Sequence, residues 1–222
     1  MIGAISLIRR RDDIDVDRFR RHWLDIHGPL VCRLPGLRCY AQSHVAAALT
    51  PTAQAMRIDG FAELAFDRVA ACAAAYGSAE LAACDRDSPG FIGAVSRLVT
   101  DFSVILPPPD TPDVAKRVIL FPPGAPADCS ALTRSRPRGL IWHVVLEQAR
   151  APNSAVPEML CPVAALAEMW FGAPAIGAGT DPGTDPGADP GADVEAGTGA
   201  GIAPPIGAAF AGVFSVIEHR LR

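Results

Sequence analysis

Two histidines, a tyrosine and a pair of repeated glutamates are the residues of this chain whose types and spacing could do chemistry. His22 and His27 bracket the string His22-Trp23-Leu24-Asp25-Ile26-His27-Gly28-Pro29-Leu30-Val31. An imidazole titrates near neutral pH, so either ring could move a proton without a metal. On an α-helix an i, i+5 pair points about 140° apart, so the two rings are not expected to share an ion. The spacing also differs from the i, i+4 pair that puts two imidazoles on one face. His27 stands where Pro29, which has no N–H, loosens the last helical turn. Its ring is expected either to turn into a cleft as a general acid/base or to cap carbonyls at the helix end.

Tyr40, Gln42 and His44 share one face of the alternating run Leu37–Val45. If a second sheet covers that face, these groups line an enclosed space and must find partners or ligands there. Glu63 lies on the face of its strand opposite Ala62, Leu64 and Phe66, and Glu168 keeps the same phase between Leu166 and Trp170. A carboxylate held inward in both places reads as a structural partner for Arg or Tyr, or as an acid/base with a raised pKa. His143 and Glu147 stand as the second-half counterparts of Tyr40 and His44, so the halves would present unequal polar sets to the space between them.

The elements that must position these residues follow from periodicity. Residues 2–9 read as a strand, and Asp15 as the N-cap of a helix whose buried stripe is Val16, Phe19, Trp23, Ile26 and Leu30. Strands follow at 37–45 and 59–66, separated by a loop through Pro51, then an Ala-rich helix over 67–84. A turn at Ser88-Pro89-Gly90, a short helix and a strand at 102–106 complete a β-α-β-β-α-β order. The second half has strands near 116–121, 140–148, 163–171 and 213–220, with no helix to match the first one.

The halves echo each other. Phe61-Ala62-Glu63-Leu64-Ala65-Phe66 answers Leu166-Ala167-Glu168-Met169-Trp170-Phe171, Phe102-Ser103-Val104-Ile105 answers Phe214-Ser215-Val216-Ile217, and Gly36-Leu37 answers Gly139-Leu140. The expected fold is therefore α+β: tandem ferredoxin-like βαββαβ units with antiparallel sheets, packed face to face as an intrachain pseudo-dimer. The expected division is 1–106, a Pro-rich linker at 107–115 and a degenerate second copy at 116–222. A Gly/Pro/Asp insert at 173–205 has too little apolar content to order itself. Its aspartates lack the spacing of a calcium loop.

Bulk properties exclude several classes. The 222 residues are 50% apolar with a formal net charge of −4, enough for a core and without the long basic run that nucleic acid would call for. No stretch reaches the length of a membrane helix, and the chain begins on a strand-like run without a signal-peptide pattern. The six cysteines are scattered without metal-ligand spacing and read as buried apolar residues in a reducing compartment, which implies a cytoplasmic protein.

The strings Phe19-Arg20-Arg21-His22-Trp23, His27-Gly28-Pro29-Leu30-Val31, Leu34-Pro35-Gly36-Leu37-Arg38 with Tyr40, and Asp59-Gly60-Phe61-Ala62-Glu63 resemble those of the EthD-domain family. The resemblance covers residues 1 to about 106. It implies a dimeric α/β-barrel architecture and relatives that act on small cyclic or aromatic molecules, including isomerases, anthrone monooxygenases and polyketide dehydratases, without metal or flavin. It further implies that His27 and Tyr40 stand where such relatives carry polar pocket residues. The leading expectation built on this is that His27 and Tyr40 are catalytic, with His22, Trp23, Gln42, His44, Glu63 and His143 as binding residues around the pocket. No cofactor and no metal are expected, and the partner is a small molecule bound by a monomeric pseudo-dimer or a homodimer. If catalytic, the protein would be an isomerase, lyase or monooxygenase-like enzyme. The alternatives left open are a noncatalytic accessory or ligand-binding protein of a degradation operon and a haem-binding barrel. The second half departs from the family pattern, having no His-Trp-x(3)-His-Gly-Pro string, so one functional pocket is expected.

Overall fold

The computed structural model describes residues 1–111, 114–124, 129–149, 154–172 and 212–222. The insert expected at 173–205 lies outside the described residues. Eight strands, each alternating between an inner and an outer face, close on themselves as an antiparallel barrel. They are β1 (Ile2–Arg10), β2 (Leu37–Ala48), β3 (Gly60–Phe66), β4 (Ile92–Leu106), β5 (Val114–Phe121), β6 (Gly139–Ala149), β7 (Ala165–Gly172) and β8 (Gly212–Arg220). Around the barrel their order is β1-β3-β2-β8-β5-β7-β6-β4. Read from β4, the first half runs β4-β1-β3-β2, and the second half repeats that order as β8-β5-β7-β6.

Inside the barrel, Ile5, Leu7, Phe61, Leu98, Val118, Leu120, Leu166, Phe214 and Val216 form an apolar plug. One end is closed by helix α3 (Pro51–Met56), which adds Ala53 and Met56, and by the segment carrying Met159, Cys161 and Val163. That segment is stitched to β4 by the Val95–Glu158 bridge. At the other end lie the start of β1 and the ends of β7 and β8.

Helices cover the outside of the first half. Asp15 does cap α1 (Val16–His22), its carboxylate accepting the Arg18 N–H at 2.7 Å. Beyond α1 the stripe departs from expectation. Residues Trp23–His27 form a π-helical turn, in which Gly28 N–H donates to the Trp23 carbonyl, before α2 (Gly28–Val31). The wider turn shifts the buried face by one residue: Phe19 and Trp23 are buried as read, but His27 and Val31 replace Ile26 and Leu30, and Ile26 is exposed.

Other boundaries also differ. The Ala-rich helix breaks at Gly77 into α4 (Val69–Tyr76) and α5 (Ala79–Asp87), because Ser78 caps a fresh start by accepting the Leu81 N–H. α3 replaces part of the expected loop, with Thr50 as its cap and Pro51 in its first turn. The short helix expected after Gly90 is instead the beginning of β4, a 15-residue strand long enough to pair with both β1 and β6. In the second half the outer face, with Ile119, Phe121, Leu140, Trp142 and Met169, packs with Leu132 of the four-residue α6 (Ser130–Thr133).

Candidate functional site

The register of β2 against β3 decides where the polar residues go. Residues directly opposite share a face, and Tyr40 pairs with Leu64 while Ala41 pairs with Glu63. Leu64 faces the helices, so Tyr40, Gln42 and His44 lie under the helical layer, and Glu63 points into the barrel. The expectation that Tyr40, His44 and Glu63 share one enclosed space is thus overturned: the sheet separates them. His143 also falls inside, paired across β7 with Leu166. Measured from the Glu63 and Glu168 positions, its first-half equivalent is Ser43 and not Tyr40, since Ala41 and Ile141 are the residues facing those glutamates.

Under the helices, a polar chain is knitted to the π turn. Gln42 Nε2 donates to the Trp23 carbonyl at 2.9 Å and to the Tyr40 hydroxyl at 2.8 Å, and Gln42 Oε1 meets His44 Nε2 at 2.9 Å. The His44 ring stacks on Trp23 at 4.6 Å, and the six-membered ring of the indole abuts Gly60, where a Cβ would fall 2.2 Å from Trp23 Cζ3. Burial, with His219 and Arg20 adding to it, pushes the His44 imidazole down to about 3. Burial also pushes the Tyr40 phenol up, against the hydrogen bond from Gln42. Tyr40 is therefore a neutral hydrogen-bonding group.

His22 and His27 converge, contrary to the α-helical arithmetic. His22 Nε2 and His27 Nδ1 each lie 2.9 Å from one oxygen of Asp87, and Phe91 packs on both rings. A π turn closes i→i+5 hydrogen bonds, which brings residues five apart onto one side. Burial holds the His27 pKa below the ordinary imidazole value, with Asp87 opposing. His27, Tyr40, Trp23 and Ser88 line a cavity of about 90 Å³ between helices and sheet.

A larger space opens at the end of the barrel. Its volume is about 340 Å³, and Ile5, Phe102, Ile141 and Trp170 contribute apolar walls. Glu63, His143, Glu168 and Glu218 line it too, with Arg220 and Arg222 among its residues. Lys116, only 2% exposed, binds all three carboxylates: Glu63 and Glu168 at 2.6 Å and Glu218 at 2.9 Å. Its ammonium also sits 4.9 Å over the Trp170 ring. His143 spans from Glu168, at 2.7 Å, to the Thr100 hydroxyl, at 3.1 Å. Trp170 Nε1 and Arg220 Nε donate to Glu218.

Lys116 is shared among three carboxylates, and Arg220 adds a second cation only at Glu218, which leaves Glu63 and Glu168 to share the lysine. Burial, reinforced by the charge of Glu168, pushes the Glu63 carboxyl up to about 8 despite Lys116. Burial acts on Glu168 in the same sense, but Lys116 and His143 together outweigh it and hold that carboxyl below its usual range. Lys116 is disfavoured by burial and still raised by its three partners. The two carboxyls are thus pushed in opposite directions, Glu63 toward its neutral form and Glu168 toward its charged one. The three carboxylates have oxygens within 4.8 Å of one another, a spacing that could ligate a metal ion, and Lys116 already places a cation among them.

Of the sequence candidates, His22, Trp23, His27, Tyr40, Gln42 and His44 thus gather outside the barrel, and Glu63 and His143 inside. Lys116 and Glu218 were missed. Their signals were present: Lys116 and Arg117 are adjacent in a strand, so alternation forces one cation inward, and Glu218 is in phase with Phe214 and Val216.

The family model of the EthD domain matches residues 11–94. Among curated proteins no match is found. A solved structure of an ethyl tert-butyl ether D (EthD) family protein from Bacillus halodurans C-125 is similar at 22% identity and a TM-score of 0.39, covering 46% of this chain and 97% of that one. An anthrone oxidase-like protein is similar at 8% identity and a TM-score of 0.49, covering 77% of this chain and 72% of that one.

Proposed function

From a chain that carries an EthD domain over residues 11–94, we propose a small-molecule protein whose ligand, a cyclic or aromatic catabolite, occupies the open end of the barrel. The observation that carries this reading is the chamber itself: about 340 Å³ of largely apolar space against an ionic wall. That volume suits a small-molecule site. The helix–sheet cavity, at about 90 Å³, is smaller than the roughly 150 Å³ that admits benzene. Proton transfer by the Glu63 and Glu168 pair, one neutral and one charged, is chemistry the chamber supports without a redox group.

The test is a thermal-shift screen of phenols, lactones and polyketide-like aromatics, repeated on Ile141→Trp, whose indole projects into the chamber and narrows it. A ligand that prefers the native form raises the melting temperature, and the variant abolishes the rise. Ligands that stabilise wild type and Ile141→Trp alike defeat the assignment.

A second reading rests on His27 and Tyr40 lining one cavity: His27 as general acid/base, Tyr40 orienting a substrate oxygen. Under it, His27→Gln abolishes turnover of a ligand that Ile141→Trp still accepts.

The repeated strand order supports a tandem pair of ferredoxin-like units, 1–106 and 116–222, joined by the linker 107–115 and acting as an intrachain pseudo-dimer. Six unpaired cysteines support placement in the cytoplasm.

A further inference from the structure

The charges around the chamber differ with depth. Its carboxylates, Glu63, Glu168 and Glu218, all meet Lys116, which is 2% exposed. Its arginines, Arg220 and Arg222, belong to the mouth, where the Arg220 side chain is 42% exposed. Ala41 pairs with Arg220 across β2 and β8, which puts Arg220 on the inward face with Glu218 and Val216. Arg222 continues that face, its carbonyl accepting the Tyr40 N–H at 2.9 Å.

Arg220 also lines a groove of about 430 Å³ beside the chamber, with Trp170 and Glu218 common to both spaces. Its guanidinium stands where they meet: Nε donates to Glu218 at 3.0 Å, Nη2 to the Pro109 carbonyl at 3.2 Å and Nη1 to Asp110 at 3.4 Å. The last of these is the weak one. It is long, and the Asp110 side chain is 99% exposed, so water screens the pair and competes for both partners. Arg222 donates from Nη1 to the Cys32 carbonyl at 2.7 Å, and among the described residues no carboxylate pairs with it.

We propose that the ligand carries a carboxylate, which takes the place of Asp110 on Arg220 while its ring occupies the apolar interior, with Arg222 adding its charge from the same face. This rests on the chamber being the ligand site. A guanidinium offers planar N–H donors that match a carboxylate, and the Asp110 contact already shows an anionic oxygen on Nη1. Glu63, Glu168 and Glu218 oppose the reverse orientation, because a carboxylate pushed inward meets like charge.

Calorimetric titration of the full chain with 1-naphthoate and its neutral isostere 1-naphthamide tests this. Wild type is expected to hold the carboxylate about tenfold more tightly at neutral pH and low salt, and Arg220→Gln to bind the two alike. Asp110→Asn, which frees Arg220 of its competitor, should tighten 1-naphthoate about twofold and leave 1-naphthamide unchanged, a gain that no folding defect produces. Equal affinities in wild type, a preference that survives Arg220→Gln, or an Asp110→Asn protein without the gain overturns the proposal while leaving the chamber as a binding site. Undiminished 1-naphthoate binding by Ile141→Trp, with 1-naphthamide binding lost, puts the carboxylate outside the chamber and also overturns it. If neither probe binds wild type, the chamber reading fails and this inference with it.

Discussion

At the scale of single residues, Lys116 is the pivot. Removing one member of a buried ionic cluster strands the others, so Lys116→Met is expected to cost about 3–5 kcal/mol in urea unfolding. Adding Glu168→Gln, which removes one stranded charge, should return part of that loss. Two buried groups set opposite pH limits. His44 has a folded pKa depressed to about 3, so its contribution to stability is complete above the ordinary imidazole value and falls away as pH drops toward 3. Glu63 has a folded pKa raised to about 8, so its contribution is complete below the ordinary carboxylate value and is lost as pH rises through 8. Melting temperature against pH should therefore fall on both sides. Glu63→Gln should flatten the alkaline limb only.

At the scale of elements, the π turn joins the helices to the sheet. Its widened loop shifts His27 and Val31 inward, turns two histidines toward Asp87 and leaves the Trp23 carbonyl accepting from both Gly28 N–H and Gln42. Gly60 is required beneath it because the Trp23 indole occupies the space of a side chain. Gly60→Ala should lower stability by about 1–3 kcal/mol in denaturant unfolding, since neither the strand nor the stacked indole can yield without disturbing His44. Asp87→Ala should cost about 1–3 kcal/mol and loosen the contact between α1 and α5, measured by hydrogen exchange at the helix amides.

At the scale of the whole molecule, closure depends on two seams. β2 pairs with β8 and β4 pairs with β6, so each half satisfies the edge strands of the other. A fragment of residues 1–106 would expose β2 and β4 as free edges. Because the second half repeats the strand order of the first, β4 of one fragment can take β2 of another in place of β6. The fragment is expected to dimerise, as light scattering on a sizing column would show; a stable monomer would mean that the edges are not what closes the barrel. Across the described residues no helix is long and apolar enough to cross a membrane.

Local sequence determined the strands other than the first ten residues of β4, because alternation of apolar and polar side chains needs no partner to be read, and the four second-half strands fall within two residues of where alternation puts them. It likewise determined the Asp15 cap and the inward phase of Glu63 and Glu168. Which face of β2 met the helices was decided only by its pairing with β3, since a period of two defines two faces without saying which is inside. The meeting of His22 and His27 depended on a π turn that helical arithmetic does not contain. The site drew Lys116, Glu63, Glu168 and Glu218 from four strands spread over more than half the chain, and only barrel closure brings such residues within a hydrogen bond of one another.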